Sequence, residues 1–170
     1  FFFFFFFFFF FFFFKKKNSF LFFYRDCTFK VTLTESNKII QTKYLEDTVT
    51  CIEISKDNST IVTGSRNGSV FIWNFEKQKV QTHPRHRLVG HDFSVCTLAI
   101  SSDLGVVISG SLSGVFIHSL YEGKFIRVIQ HTSGRQPYLV TLTTNSQFFV
   151  YYQDIQEIGI KISFSHLFFF

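Results

Sequence analysis

The segment VTCIEISKDNSTIVTGSRNGSVFIW, from Val49 to Trp73, recurs as VCTLAISSDLGVVISGSLSGVFIH, from Val95 to His118. Val49 aligns with Val95 and Gly64 with Gly110, an offset of 46 residues; one position drops out in the last strand, so Trp73 falls on His118. Self-similarity at a spacing of roughly 40–50 residues belongs to chains built from stacked supersecondary units. Such units cannot bury their apolar faces alone, so each must be covered by the next.

Inside each unit the pattern predicts three strands. In the first these are Thr48 to Ser55, Ser59 to Ser65 and Ser69 to Phe75; in the second, Ser94 to Ser101, Gly105 to Ser111 and Val115 to Leu120. Turn residues at Lys56 to Asn58, Arg66 to Gly68, Ser102 to Leu104 and Leu112 to Gly114 separate them. Asn67 followed by Gly68 is a strong hairpin signal, because both residues tolerate the positive φ of the mirror-image turns that suit strand twist. From Leu21 to His166 no helical period competes with this β pattern.

The runs Val106, Val107, Ile108 and Val115, Phe116, Ile117 do not alternate apolar with polar, so both faces of their sheet are expected to be covered. A propeller supplies that cover, each blade lying between two neighbours around a central channel. A weaker third unit pairs Thr141 with Ala99 over Thr141 to Tyr152 and adds a strand at Ile158 to Ser165. An earlier partial unit ends in Thr28 to Leu33. The expected fold is all-β: a partial propeller of about three blades in an incomplete ring.

The pieces GSRNGSVFIWNF (Gly64 to Phe75) and GHDFSVCTLAIS (Gly90 to Ser101) resemble WD repeats, with Gly-His opening a blade and an aromatic closing its third strand. Longer segments, Arg25 to Thr42 and Arg87 to Ile129, resemble the C-terminal propeller of BEACH-domain proteins, the neurobeachin and lysosomal-trafficking-regulator group. In that group a blade ends in His and continues through a basic Gly-Lys turn into Phe-Ile-Arg, as His118 and Gly123 to Arg127 do here. The resemblance implies a non-catalytic scaffold that binds other proteins through propeller loops in vesicle or lysosomal membrane traffic. It implies a cytoplasmic location, peripheral on endosomal or lysosomal membranes, with membrane association indirect at most and no cofactor.

The resemblance also implies structural roles. WD blades are held by hydrogen bonds among His, Ser or Thr, Asp and Trp, and the positions matching that set are His91, Ser65, Asn67, Trp73, Ser111, Ser113 and His118. Neither unit is complete. The first has Tyr44 and Leu45 in place of Gly-His and Asn67 at the turn; the second has Ser113 at the turn and His118 in place of Trp.

Other chemistry is weakly signalled. His83, His86 and His91 near Cys96 offer zinc-ligand types, but His83 to Arg87 reads as an inter-blade loop and His91 as the blade opener. A nucleophile group of Cys96, His91 and Asp92 lacks an oxyanion hole, and neighbours along one strand face opposite ways. The glycines are explained by turns, with no phosphate-binding loop. Lys77, Lys79, Arg85, His86 and Arg87 form a basic stretch that reads as a partner-binding loop. The net charge of +5 includes Lys15 to Lys17, so the body is only mildly basic and nucleic acid is not implied. Cys27, Cys51 and Cys96 lack paired spacing and suit a reducing compartment.

Residues 1–20 are a low-complexity Phe and Lys segment, 21–166 the propeller, and 167–170 an apolar tail. The opening run of Phe1 to Phe14 and the absence of Met read as a fragment preceded by a translated single-nucleotide repeat, or by a disordered tail. The alternative is a small β protein anchored in a membrane by that run, although fourteen residues at 1.5 Å each reach only about 21 Å against a core of about 30 Å. A closed ring of about seven blades needs roughly 300 residues at this period. We therefore expect Leu21 to His166, expressed alone, to aggregate or remain bound to chaperones. A monodisperse monomer with a sharp thermal transition contradicts the fragment reading.

Overall fold

Val, Ile, Thr and aromatic residues dominate the repeated runs, and their branched or bulky side chains pack better on a pleated surface than on a helix. The computed structural model describes residues 19–24, 27–33, 38–77, 79–130, 137–142, 147–152 and 160–163. Its strands are β1 (Ser19–Tyr24), β2 (Thr28–Leu33), β3 (Ile39–Tyr44), β4 (Val49–Ile54), β5 (Thr60–Ser65), β6 (Val70–Glu76), β7 (Lys79–Val80), β8 (His86–Leu88), β9 (Val95–Ser101), β10 (Val106–Ser111), β11 (Gly114–Ser119), β12 (Phe125–Ile129), β13 (Pro137–Leu142), β14 (Gln147–Tyr152) and β15 (Ile160–Ser163). No helix occurs among the described residues, and hence none that could cross a membrane. The Phe1 to Phe14 run, Lys15 to Lys17 and the tail from 167 lie outside them.

The strands make four antiparallel sheets: β1-β2-β3, β4-β5-β6 with β7 and β8 both on β6, β9-β10-β11-β12, and β13-β14-β15. The expected inner strands of both repeats are present, displaced by a residue or so. The expectation of about three blades becomes four sheets, two of them full blades and two of three strands. Strand β1 enters at Ser19, two residues before the expected start of the body.

Alternate residues along each strand serve different interfaces. From the first full blade, Ile61, Phe71, Trp73 and Phe75 pack with Phe29 and Val31 of the sheet before it. Val62, Val70 and Ile72 point the other way and pack with Leu98, Ile100 and Val107 of the next blade. The second blade repeats the arrangement, giving Ala99, Ile108 and Ile117 to a third cluster with Val140 of the last sheet. Both faces of β5 and β10 are buried throughout, so the run Val106 to Ile108 is covered as expected, whereas in the run Val115 to Ile117 Phe116 is only half-buried.

Polar bonds cross the same interfaces. The Thr50 hydroxyl donates to the Val95 carbonyl at 2.5 Å, and the Val140 amide donates to Thr97 Oγ1 at 3.0 Å. Gln41 uses its amide as a surrogate strand, donating to the Val80 carbonyl and accepting from the Val80 amide, each at 2.7 Å.

The hairpin at Asn67-Gly68 lies where expected but is of another type. Gly68 N–H donates to the Ser65 carbonyl at 3.2 Å, and only Gly68, at φ +84°, is left-handed. Arg66 and Asn67 are thus the centre of an ordinary turn and Gly68 forms the bulge that follows it, the usual three-residue solution. Asn67 keeps negative φ because its Oδ1 accepts the Ser69 amide at 3.0 Å and closes the turn from the side chain.

Gly64 measures how closely the blades approach: a Cβ there would meet Cys51 Sγ at 2.6 Å and Val95 Cβ at 2.9 Å. Gly64→Ala is expected to destabilise the chain by about 1–3 kcal/mol through overpacking. Urea unfolding in dilute solution, followed by the fluorescence of the single, buried Trp73, measures it. An unchanged midpoint is incompatible with this spacing.

Candidate functional site

The connector from β8 to β9, Val89 to Ser94, carries the Gly-His pair, and side chains of the second blade hold it. His91 inserts between two wholly buried hydroxyls, Nδ1 at 2.6 Å from Ser111 Oγ and Nε2 at 2.7 Å from Ser109 Oγ. Its ring lies 4.4 Å from the ring of Phe116. The Asp92 amide donates to Ser113 Oγ at 3.0 Å, and Ser113 N–H donates to Ser111 Oγ at 3.0 Å. His118 Nε2 lies 3.0 Å from the Val89 carbonyl, which can only accept, so Nε2 carries the proton and Nδ1 is left bare, with no partner among the described residues.

The first full blade uses the same positions differently. Trp73 Nε1–H donates to Thr63 Oγ1 at 3.0 Å, and Phe29 meets the Trp73 ring edge-on at 5.7 Å. Leu45 stands where the second blade has His91, and the Ser65 hydroxyl, equivalent to Ser111, has no partner among the described residues although buried. The orphaned serine is the direct consequence of the missing imidazole. Thr63 and Ser109 are functional positions that the repeat motif does not mark, although both lie two residues before its serines, Ser65 and Ser111, and so share their face.

The two connectors and two hairpin turns lie at one rim. Arg66 N–H donates to the Thr48 carbonyl at 2.9 Å, and a Cβ on Gly68 would meet the His91 carbonyl at 2.3 Å. This rim exposes large apolar side chains, Tyr44 at 81%, Val89 at 71% and Phe93 at 51%.

The basic stretch is only partly a loop, with Lys77 in the turn after β6 and Arg85 in the bend before β8. Lys79 lies in β7, and His86 and Arg87 lie in β8, the outer strand of the first full blade. A strand of three residues has too few positions to show a period. Arg85 donates to the Leu120 carbonyl at 2.6 Å and His86 Nε2 contacts the Tyr121 carbonyl at 2.8 Å, so both clasp the next blade. Arg87 pairs with Glu46 at 3.5 Å and donates to Ser69 at 3.1 Å. Lys77 and Lys79 alone keep exposed ammonium groups with no bond among the described residues.

No group of three or more His, Cys, Asp or Glu gathers at metal-binding range among the described residues. His86 and His91 are engaged with different partners, and Cys96 donates to the Gly110 carbonyl at 3.1 Å, its thiol pushed up to about 11 by burial. A thiol held protonated in this way is a poor nucleophile. The serines beside His91 are wholly buried, so no substrate reaches them.

The match to known proteins agrees with this geometry. The model for the neurobeachin beta propeller domain matches residues 15–162. BEACH domain-containing protein B of Arabidopsis thaliana is 32% identical over 124 residues, covering 61% of this chain and 5% of that protein. BEACH domain-containing protein lvsD of Dictyostelium discoideum is 32% identical over 107 residues, covering 60% and 4%. The chain therefore spans about a twentieth of these relatives. The crystal structure of the WD40 beta propeller domain of Doa1 superimposes with a TM-score of 0.69 at 21% identity, over 86% of this chain and 47% of that one.

Burial, with His118 close by, pushes His91 down from 6.5 to about 4, and burial also lowers His118. Both are neutral near pH 7, and their stabilisation is present above about 6.5 and lost as pH falls towards 4. Glu53 opposes them: burial raises it from 4.5 to about 7, so its contribution is lost as pH rises through that range. The two effects offset each other between about 4.5 and 6.5. Glu53→Gln is expected to unmask a urea midpoint that climbs with pH across that window, by on the order of 2–3 kcal/mol at most. A flat profile in that variant rules out a buried neutral His91.

Proposed function

The chain belongs to the neurobeachin beta-propeller family, and from that premise we propose that it is a non-catalytic scaffold presenting a rigid rim to partner proteins. The observation that carries the reading is the connector at Val89 to Ser94. His91, His118, Ser109, Ser111 and Ser113 fix its backbone, while Val89 and Phe93 stay outside. Spending buried hydrogen bonds on a surface segment suits binding, because a segment already ordered loses little entropy when a partner arrives. Large apolar side chains at such a place are costly in water unless covered some of the time.

The membership also suggests the setting. BEACH relatives lead us to place the scaffold in the cytoplasm, acting in vesicle or lysosomal traffic and reaching membranes through its protein partners.

The test is photocrosslinking in cells from p-benzoylphenylalanine placed at Phe93 or Val89, with Asp103 at the opposite rim as control. Discrete protein adducts from 89 and 93, absent from 103 and recovered in the vesicle fraction, are expected. Adducts to lipid alone, or equal labelling from all three positions, overturn the reading.

A further inference from the structure

We propose that the outer edge of β12 accepts an added strand from a partner protein, an extended segment alternating apolar with acidic residues. The inference rests on the scaffold reading but uses a different surface. β12 is the terminal strand of its sheet and pairs with β11 alone among the described strands, leaving a row of backbone donors and acceptors unpaired on its far side. An open edge of this kind is a template for another chain, and native proteins normally blunt it.

The other outer strands flanking the full blades are blunted. β8 has three residues, and its Arg87 is tied to Glu46 and Ser69. β3 is spanned by Gln41 bonding both backbone groups of Val80 and by Lys43 donating to the Thr82 carbonyl at 3.2 Å. No side chain of another sheet bonds to β12 among the described residues.

β12 also exposes apolar surface where an edge should be polar: Phe125 at 53% and Ile126 at 42%, with Tyr121 at 57% in the preceding turn. Register shifts at Ile117/His118 leave Ile126 opposite no residue of β11. The Phe125 ring is nevertheless anchored, 5.7 Å from His118 and 6.1 Å from Phe116, and so offers a fixed wall.

Charge selects the partner. Lys124 is held by Glu122 at 2.7 Å, whereas Arg127 is exposed and without an ion pair among the described residues. One free guanidinium suits a carboxylate on an added strand, with apolar neighbours covering Phe125 and Ile126. It is too little for a lipid surface, where each basic residue contributes only about 1 kcal/mol and about four to eight are usual.

The test uses the 170-residue chain, carried on a solubilising fusion partner because the bare fragment is expected to aggregate, and a fluorescein-labelled, end-blocked octapeptide alternating Val and Glu, read by anisotropy and by amide hydrogen exchange. Saturable binding is expected, with slowed exchange across Phe125–Ile129 and not across Val49–Ile54. Arg127→Glu and Ile126→Lys should each weaken it at least tenfold while leaving the urea midpoint unchanged, and Arg127→Lys should retain most of it. Overturning results are binding indifferent to both substitutions, protection elsewhere, phosphatidylserine vesicles bound in the peptide's place, or slow β12 exchange without peptide through self-association. If the peptide fails while adducts from Phe93 persist, the edge inference falls and the scaffold reading stands. If the adducts are lost while the peptide still binds, the rim reading falls and the edge inference stands.

Discussion

The inner strands β5 and β10 of the two full blades have no solvent face, and that constraint governs what the sequence can contain. In β5, Ile61 and Thr63 turn towards the preceding sheet while Val62 turns towards the next blade, and all three are wholly buried. Burial of this kind stabilises at roughly 25 cal/mol per Å² of apolar surface, but only when both neighbours are present.

Packing alone would let such sheets slide, since apolar contact is not directional. Register between blades comes from polar bonds that cross the interfaces, among them those of Thr50 with Val95, Thr97 with Val140, Gln41 with Val80, and Arg85 with Leu120. The Gln41 pair does what a strand pair does, using a side-chain amide where backbone cannot reach. Gly64 belongs to the same logic, because any side chain there would push Val95 away and break the Thr50 bond.

The inner strands are legible in the sequence because their apolar content is dense and repeated at 46 residues, and turns punctuate them cleanly. The outer strands are not. β8 has three residues, and β12 is exposed at three of five positions, so neither carries a hydrophobic period. The basic residues of β8 resemble a solvated loop because only tertiary contact reveals that Arg85 and His86 cap the carbonyls of Leu120 and Tyr121. At Asn67 the position of the turn is legible but its type is not, since a side-chain bond to the Ser69 amide decides its φ and no local propensity reports that bond. Thr63 and Ser109 lie within reach of strand alternation, but the Gly-Ser pairs that follow them carry the recognisable motif and they carry none.

The two full blades also show what a repeat loses when its polar set is divided. In the first blade the indole of Trp73 satisfies Thr63, and Ser65 is left without a partner among the described residues. In the second, His91 satisfies Ser109 and Ser111 together, and the smaller His118 turns to the Val89 carbonyl at the expense of its own Nδ1. An unsatisfied buried group costs about 1–3 kcal/mol, so within this polar set each blade retains one such group among the described residues, Ser65 Oγ in the first and His118 Nδ1 in the second. The defects lie differently with respect to function. The first leaves the connector at Leu45 to Thr48 without a histidine clasp, whereas the second strengthens the hold on the connector at Val89, the segment whose exposed side chains would meet a partner.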